Sequence, residues 1–542
     1  MTSPPRPVEA TPAGTASLRK DGPPFERILV ANRGEIAVRI MRACRELGIA
    51  TVAVFSDADA DGGHVRAADE AIRLGPAPPT ESYLRADLIV EAARRTGAQA
   101  IHPGYGFLAE RASFAAAVEE AGLVFIGPNA DAIARLGDKL AARRLAAGVG
   151  VPVVPGMLEP AAIDRPDAID GILAEADRIG FPLLVKTSAG GGGRGMRRVE
   201  SGANLVEALA AGSAEAASAF GDGSVYLERV IEPARHIEVQ LLGDAAGTIV
   251  AIGERDCSLQ RRHQKLVEES PASGLTDDER ARIHEFAVRV AGAAALRNAS
   301  TAEFLFDRDR RFWFLEVNTR LQVEHGVSEL AAGVDLVREQ ILVAAGRPLS
   351  SAVLAAAAEA ARPVRHAIEV RISAEDPIRA FAPEPGRIGR WSLPSGPGVR
   401  VDTAVEAGDR VPPDYDPLIA KLLVVDDDRD AAIDRLTRAL DEVEVTGIQT
   451  TLPFHRFVAR HAGFRAGDVA TSWVDEEWEP RAATDRHAAL AVAAQAAAAV
   501  AVGEVRPAGA VGGVAAANTP PGRDTPSWRL AGRADAIDRW PR

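Results

Sequence analysis

Between residues 314 and 325 the chain reads FLEVNTRLQVEH, in which Glu316, Asn318, Arg320, Gln322 and Glu324 alternate with other residues. Period-two spacing would set all five on one face of an extended strand. So many polar side chains projecting together are costly unless they hold something. Glu316, Asn318 and the nearby Glu303 offer hard oxygen donors, suited to magnesium beside a nucleotide. The planar fork of Arg320 suits a small oxyanion. A second run, KTSAGGGGRGM (186–196), puts Lys186 on a strand ahead of Gly190, Gly191, Gly192 and Gly193. Without Cβ atoms, backbone N–H groups there can close on phosphate oxygens that the ammonium also reaches. No G-K-[ST] follows, so this is not a Walker A loop.

A third run, ERDCSLQRRHQK (254–265), carries Gln260, His263 and Lys265 and reads as the facing wall of the same cleft. Cys257 has no companion ligands and reads as a structural thiol. Lysine is scarce: of 63 basic residues only Lys20, Lys139, Lys186, Lys265 and Lys421 are lysines. Where arginine supplies generic positive charge, a retained lysine marks a position needing a compact ammonium. Lys20, near the N-terminus, is the exception.

These groups need a scaffold. RILVAN (27–32) reads as a buried strand, and Gly34 opens a helix with Ile36, Ile40, Cys44 and Leu47 on one face. ATVAVFS (50–56) is the next strand, and the alternation continues through a helix near 84–96, AQAIHPGYGF, another helix and LVFIG. Repeated βαβ units predict a parallel sheet with helices on both faces, an α/β class. The first turn is NRGEI rather than G-x-G-x-x-G, which excludes a dinucleotide fingerprint. A smaller unit follows at 156–227, then charged strands alternating with helices from 228, then a strand-rich stretch at 364–478 punctuated by PEPG, PSGPG and VPPDYD.

Composition narrows the classes. A formal net charge of -13 argues against nucleic-acid binding. Two cysteines in 542 residues build no disulfide framework, which points to a reducing cytoplasm. Residues 1–24 hold six prolines and no apolar core of a signal peptide, so they read as a flexible leader. The Ala-rich stretch 487–502 is shorter than the ~20 apolar residues of a membrane span, and no membrane attachment is expected.

Eight stretches, in order, resemble the biotin carboxylase family of the ATP-grasp superfamily: ILVANRGEIAVRI, HPGYGFLAE, GDK at Lys139, KTSAGGGGRGM, ERDCSLQRRHQK, FLEVNTRLQVEH, RISAEDP at Arg371 and YDPLIAKL at Tyr415. The resemblance implies an N-terminal biotin carboxylase domain at 25–155. An ATP-grasp fold would follow, with its mobile glycine-rich lid at 156–227 and its catalytic part at 228–363. A strand-rich C-terminal domain would span 364–478. It also implies that Lys139, Lys186, Gly190–Gly193, Glu228, His236, Gln260 and His263 hold ATP. Glu303, Glu316 and Asn318 would bind magnesium or manganese. Lys265, Arg320, Gln322 and the Val323 backbone would hold bicarbonate, with Glu324 as general base. Arg371 would orient biotin and stabilise its enolate. The reaction so implied is carboxylation of biotin through carboxyphosphate, the first half-reaction of an acyl-CoA carboxylase.

The resemblance further implies a homodimer through Arg39, Arg42 and Asp416 and, as a further partner, a carboxyltransferase. Gly326 stands where relatives frequently carry proline. No lysine follows Lys421, so biotin is expected on a carrier in another polypeptide, and 479–542 is a possible docking segment. Two alternatives stand beside this reading. One is an ATP-grasp ligase activating a different carboxylate, against which Arg371, HPGYGFLAE and RRHQK speak. The other is a non-catalytic assembly protein, which would be expected to lack one of Lys265, Glu303, Glu316, Glu324 or Arg371.

Overall fold

The structure, a computed structural model, describes residues 22–161, 169–188 and 196–480. Arg27–Val30, apolar on both faces, becomes the middle strand of a five-stranded parallel sheet. Its neighbours are Ala50–Ser56 on one side and Ala100–His102 on the other, with Glu70–Gly75 and Val124–Phe125 at the edges. Helix Gly34–Glu46 buries Ile36, Ile40 and Cys44 on the expected face, with Leu47 packed against the same core.

The central layer is an eight-stranded antiparallel sheet. Its spatial order is Phe312–Asn318, Asn298–Asp307, Ala234–Gly243, Ile249–Arg261, Gln264–Ser270, His366–Ser373, Leu418–Asp426 and Val399–Thr403. Strand Gln264–Ser270 pairs directly with His366–Ser373, so one hydrogen-bonded layer crosses the boundary expected near residue 363. Its two faces differ. Ile237, Val239, Phe304 and Phe314 pack against helix Asp277–Ala293, whose start is fastened by a capping box between Thr276 and Glu279. Glu238 and Glu303 alternate with these and point to the opposite face, and a bulge between the Glu303–Glu316 and Phe304–Phe314 pairs turns Glu316 to that face as well. Glu303 is in register with Glu238 on one side and Glu316 on the other.

A three-stranded sheet, Arg197–Val199, Leu183–Thr187 and Val225–Arg229, forms the smaller unit and carries Lys186. Gly190–Gly193 and the stretch after residue 480 lie outside the described residues. Among the described residues no helix is long and apolar enough to cross a membrane.

A chain of ion pairs ties the N-terminal region to the central sheet. Glu329 accepts from Arg39 at 2.8 Å and from Arg400 at 2.7 Å, while Arg39 also reaches Asp335 and Arg400 reaches Asp402. Burial opposes charge on Glu329, but Arg39, His325 and Arg400 prevail and lower its pKa to about 2. That value lies below the roughly 4.3 of an unfolded glutamate. The pair therefore stabilises fully above that pH and is lost as pH falls towards 2. Glu329→Gln leaves two guanidinium groups short of a counter-charge and should cost about 3–5 kcal/mol at neutral pH. Urea unfolding across a pH series should show the gap between wild type and variant closing as pH falls below about 4.

Candidate active site

Lys265 Nζ lies 3.1 Å from Glu303 Oε1 and 2.6 Å from Glu324 Oε1, and it also donates to Glu238. Burying carboxylates costs several kcal/mol per ion unless cations and hydrogen bonds compensate. Here they do. Arg255, itself fully buried, bonds Glu238, Gln240, Thr301, Gln322 and Ser328. Burial would push Glu303 and Glu324 up. Lys265 and His236 nevertheless hold Glu303 well below the ordinary carboxylate range, and Lys265, Arg371 and Arg255 do the same for Glu324. Burial likewise disfavours the Lys265 ammonium, but Glu238, Glu303 and Glu324 hold its pKa well above the usual lysine value.

The polar alternation expected through Glu324 stops early: the strand ends at Asn318. As the chain leaves the sheet, Glu110 accepts from Thr319 N at 3.1 Å and Arg320 Nε at 2.8 Å. Gln322 comes back into the cluster from the loop, donating to Glu303 at 2.8 Å and accepting from Arg255 at 2.9 Å. Glu324 sits at the entrance of helix His325–Ala332. There Gly326 permits close packing, since a Cβ would fall 2.4 Å from Leu423 Cδ2. Glu324 is held from its other side by Arg371 Nη2 at 2.9 Å, and Arg371 Nε donates to Glu268 at 2.7 Å. Burial, opposed by Arg371 and reinforced by Glu324, lifts Glu268 to about 7.

Basic groups gather beside this cluster. Lys139, at the start of helix Lys139–Gly148, lies 3.7 Å from Glu316 Oε2. Lys186 donates to Glu228 at 2.8 Å, and the other oxygen of Glu228 is taken by Arg143. His236 Nε2 is 2.9 Å from Glu303 Oε2. Gln260 is opposite Lys265 across the Ile249–Arg261/Gln264–Ser270 hairpin. Arg262 and His263 form its turn, both with positive φ, 49° and 65°. That is the twist-matched two-residue turn, built without glycine or asparagine. Partial burial lowers the pKa of His263, and the charges of Lys186, His236 and Lys139 lower it further. Four nitrogen bases thus face one space, an arrangement suited to phosphates.

Glu303 and Glu316 offer carboxylate oxygens from paired positions, with Asn318 beside them donating to Glu303 at 2.8 Å. An all-oxygen set of this kind fits magnesium or manganese. Next to the cluster is a cavity of about 480 Å³ whose lining includes Tyr105, Phe107, Arg320, Val323, Arg371 and Tyr415. Cys257 is buried with carboxylate oxygens of Glu238 and Glu324 near its sulfur, companions that its sequence neighbours do not show, and burial and then Glu238 push its thiol well above the usual range.

The structure brings together Lys265, Glu303, Gln322, Glu324 and Arg371, which the sequence had grouped. Sequence reasoning passed over Glu238, Arg255, Glu268, Glu110 and Tyr105. Glu238 was within reach, because it follows His236 by two residues on one strand and must share its face.

Three family models match the chain: "Biotin carboxylase, N-terminal domain" at residues 24–133, "Carbamoyl-phosphate synthase L chain, ATP binding domain" at 138–352, and "Biotin carboxylase C-terminal domain" at 369–476. The biotin carboxylase of Halalkalibacterium halodurans is 48% identical over 451 residues, covering 83% of this chain and 97% of that protein. One of the pyruvate carboxylase subunits of Methanothermobacter thermautotrophicus is 47% identical over 453 residues, covering 83% and 90%. Among solved structures, a biotin carboxylase of Campylobacter jejuni complexed with beta-gamma-ATP superposes with a TM-score of 0.79 at 42% identity, over 84% of this chain and 99% of that one. The biotin carboxylase domain dimer of Hydrogenobacter thermophilus 2-oxoglutarate carboxylase, holding MgADP and bicarbonate, gives 0.79 at 43% identity, over 83% and 97%. Parent carboxylases with different acceptors thus share this unit, and what they have in common is the biotin half-reaction. The chain belongs to the biotin carboxylase family, whose ATP- and bicarbonate-dependent carboxylation of biotin is the reaction this cleft serves.

Proposed function

We propose that Glu324, caged between Lys265 and Arg371, is the base that turns bicarbonate into a nucleophile towards ATP. The observation that carries this is the pair of contacts at 2.6 and 2.9 Å to the two oxygens of one buried carboxylate. With two cations attached, Glu324 is ionised but weakly basic. An incoming bicarbonate would share Lys265, Arg320, Gln322 and the Val323 N–H, dividing their attraction between two anions and raising the basicity of Glu324. Lys139, Lys186, His236 and His263, with Gln260 and the N–H groups of Gly190–Gly193, would hold the phosphates of ATP. Glu228 would act from behind Lys186. A magnesium or manganese ion on Glu303 and Glu316, beside Asn318, would neutralise charge on the transferring phosphoryl group.

Carboxyphosphate formed here hydrolyses in water, so a closing glycine-rich segment would have a protective purpose. The cavity beside Arg371 has the size and mixed character for the ureido ring of biotin. Arg371 would stabilise the enolate once that ring loses its proton. Biotin would arrive on a separate carrier polypeptide, and a carboxyltransferase would complete the cycle, the acyl-CoA type being our preferred reading. The same reading takes the chain as a cytoplasmic homodimer. Arg42 and Asp416 are exposed, as an interface role would require, whereas Arg39 is buried and paired within its own chain.

Two substitutions test the assignment. Glu324→Ala should lower bicarbonate-dependent ADP release by about 10²- to 10⁴-fold while nucleotide binding, followed by fluorescence titration, is retained. Unchanged turnover would remove Glu324 from the role of base. Lys265→Arg keeps the charge, but a planar fork cannot offer one nitrogen to three carboxylates. It should lose roughly 10²-fold in kcat for ADP release, and near-normal turnover would overturn the need for an ammonium there.

A further inference from the structure

Lys421 stands outside the assigned groups, yet its side chain is wholly buried, the only lysine so enclosed among the described residues. Burying an ammonium costs several kcal/mol unless its partners compensate, so its partners show what it is for. Nζ donates to the carbonyl oxygen of Val323 at 2.7 Å. It lies 3.5 Å from Glu35 Oε1 and 3.9 Å from Asp402 Oδ2. Glu35, in the first turn of helix Gly34–Glu46, also accepts the hydroxyl hydrogen of Tyr105. Lys421 is therefore bonded to the peptide that joins Val323 to Glu324. Through Glu35 it is linked to a ring on the wall of the neighbouring cavity.

Register explains how this arises. Lys421 is directly opposite Arg371 on one neighbouring strand and Asp402 on the other. Cross-strand neighbours share a face, so the lysine underlies the same cleft that Arg371 enters. A lysine kept only to neutralise charge would be satisfied by Glu35, Asp402 and the nearby Glu369, whose two oxygens have no hydrogen-bond partner. Its shortest contact is instead to a neutral carbonyl in the segment that carries the base. Arginine, abundant elsewhere in this chain, would need room for a planar fork at a site with none.

We infer that Lys421 is a positioning residue that fixes the Val323–Glu324 peptide from beneath the cleft, with Glu35 as its counter-ion and link to Tyr105. This rests on the reading that Val323 N–H and Glu324 receive bicarbonate. Loss of the ammonium should loosen that subsite and leave the nucleotide wall, on other strands, undisturbed.

The test is ADP release by the full chain with Mg-ATP, free biotin and varied bicarbonate. Wild type must first show bicarbonate-dependent release; its absence would sink the underlying reading rather than this one. Lys421→Met should raise KM for bicarbonate about tenfold or more. KM for ATP should stay within about twofold, as for a site without shared partners. If that variant does not fold, K421M/E369Q also removes the unpartnered buried carboxyl beside the lysine and carries the same test. An unchanged bicarbonate KM, or equal losses for ATP and bicarbonate, overturns the inference. Failure of both variants to fold does so too, because it makes Lys421 a stability residue.

Discussion

Three carboxylates, Glu238, Glu303 and Glu324, come from two strands and the entrance of a helix and meet at one ammonium, Lys265. Without that cation the three would repel one another in a space where charge is poorly screened, and the cleft could not close around them. With it, Glu303 and Glu324 stay ionised and ready to exchange a partner for a ligand. Around this centre Arg255 commits its fork to Glu238 and Gln322, His236 covers Glu303, and Arg371 covers the far side of Glu324. Each cation of the cleft core already holds a carboxylate. Anionic substrates must therefore compete for partners that are in place and oriented, which is electrostatic preorganisation in structural form.

The antiparallel sheet makes the meeting possible. Glu303 lies between Glu238 and Glu316 in register, so two pairings deliver three acidic groups to one face while Phe304 and Phe314 fill the other. The same layer runs on through Gln264–Ser270 into His366–Ser373, which brings Arg371 to Glu324. The boundary near residue 363 that the resemblance implies is thus crossed by a continuous hydrogen-bonded layer.

Local pattern and resemblance showed much of this. The parallel N-terminal sheet followed from apolar strands separated by helices of regular period, and the buried face of Gly34–Glu46 was readable residue by residue. The polar run 316–324 was recognised as a site, but its strand ends at Asn318. Beyond it Thr319 and Arg320 bond Glu110, some two hundred residues away, and no period within the run reports such a contact. Arg255 and Glu268 sit among ordinary charged strand residues, and only the pairing of strands shows which face each meets. The scarcity of lysine was a useful guide at Lys186 and Lys265, both of which lie in the charged cleft. At Lys421 it marked a residue whose purpose emerged only with its contact to the Val323 carbonyl.

The central claim is that this caged carboxylate serves carboxylation of biotin. It is tested most directly by supplying the purified chain with Mg-ATP, radiolabelled bicarbonate and free biotin, and measuring acid-labile label transferred to biotin. The account predicts transfer that requires ATP and falls by about 10²-fold or more with Glu324→Ala. Robust ATP cleavage with bicarbonate but no label on biotin, or transfer undiminished in that variant, would contradict it.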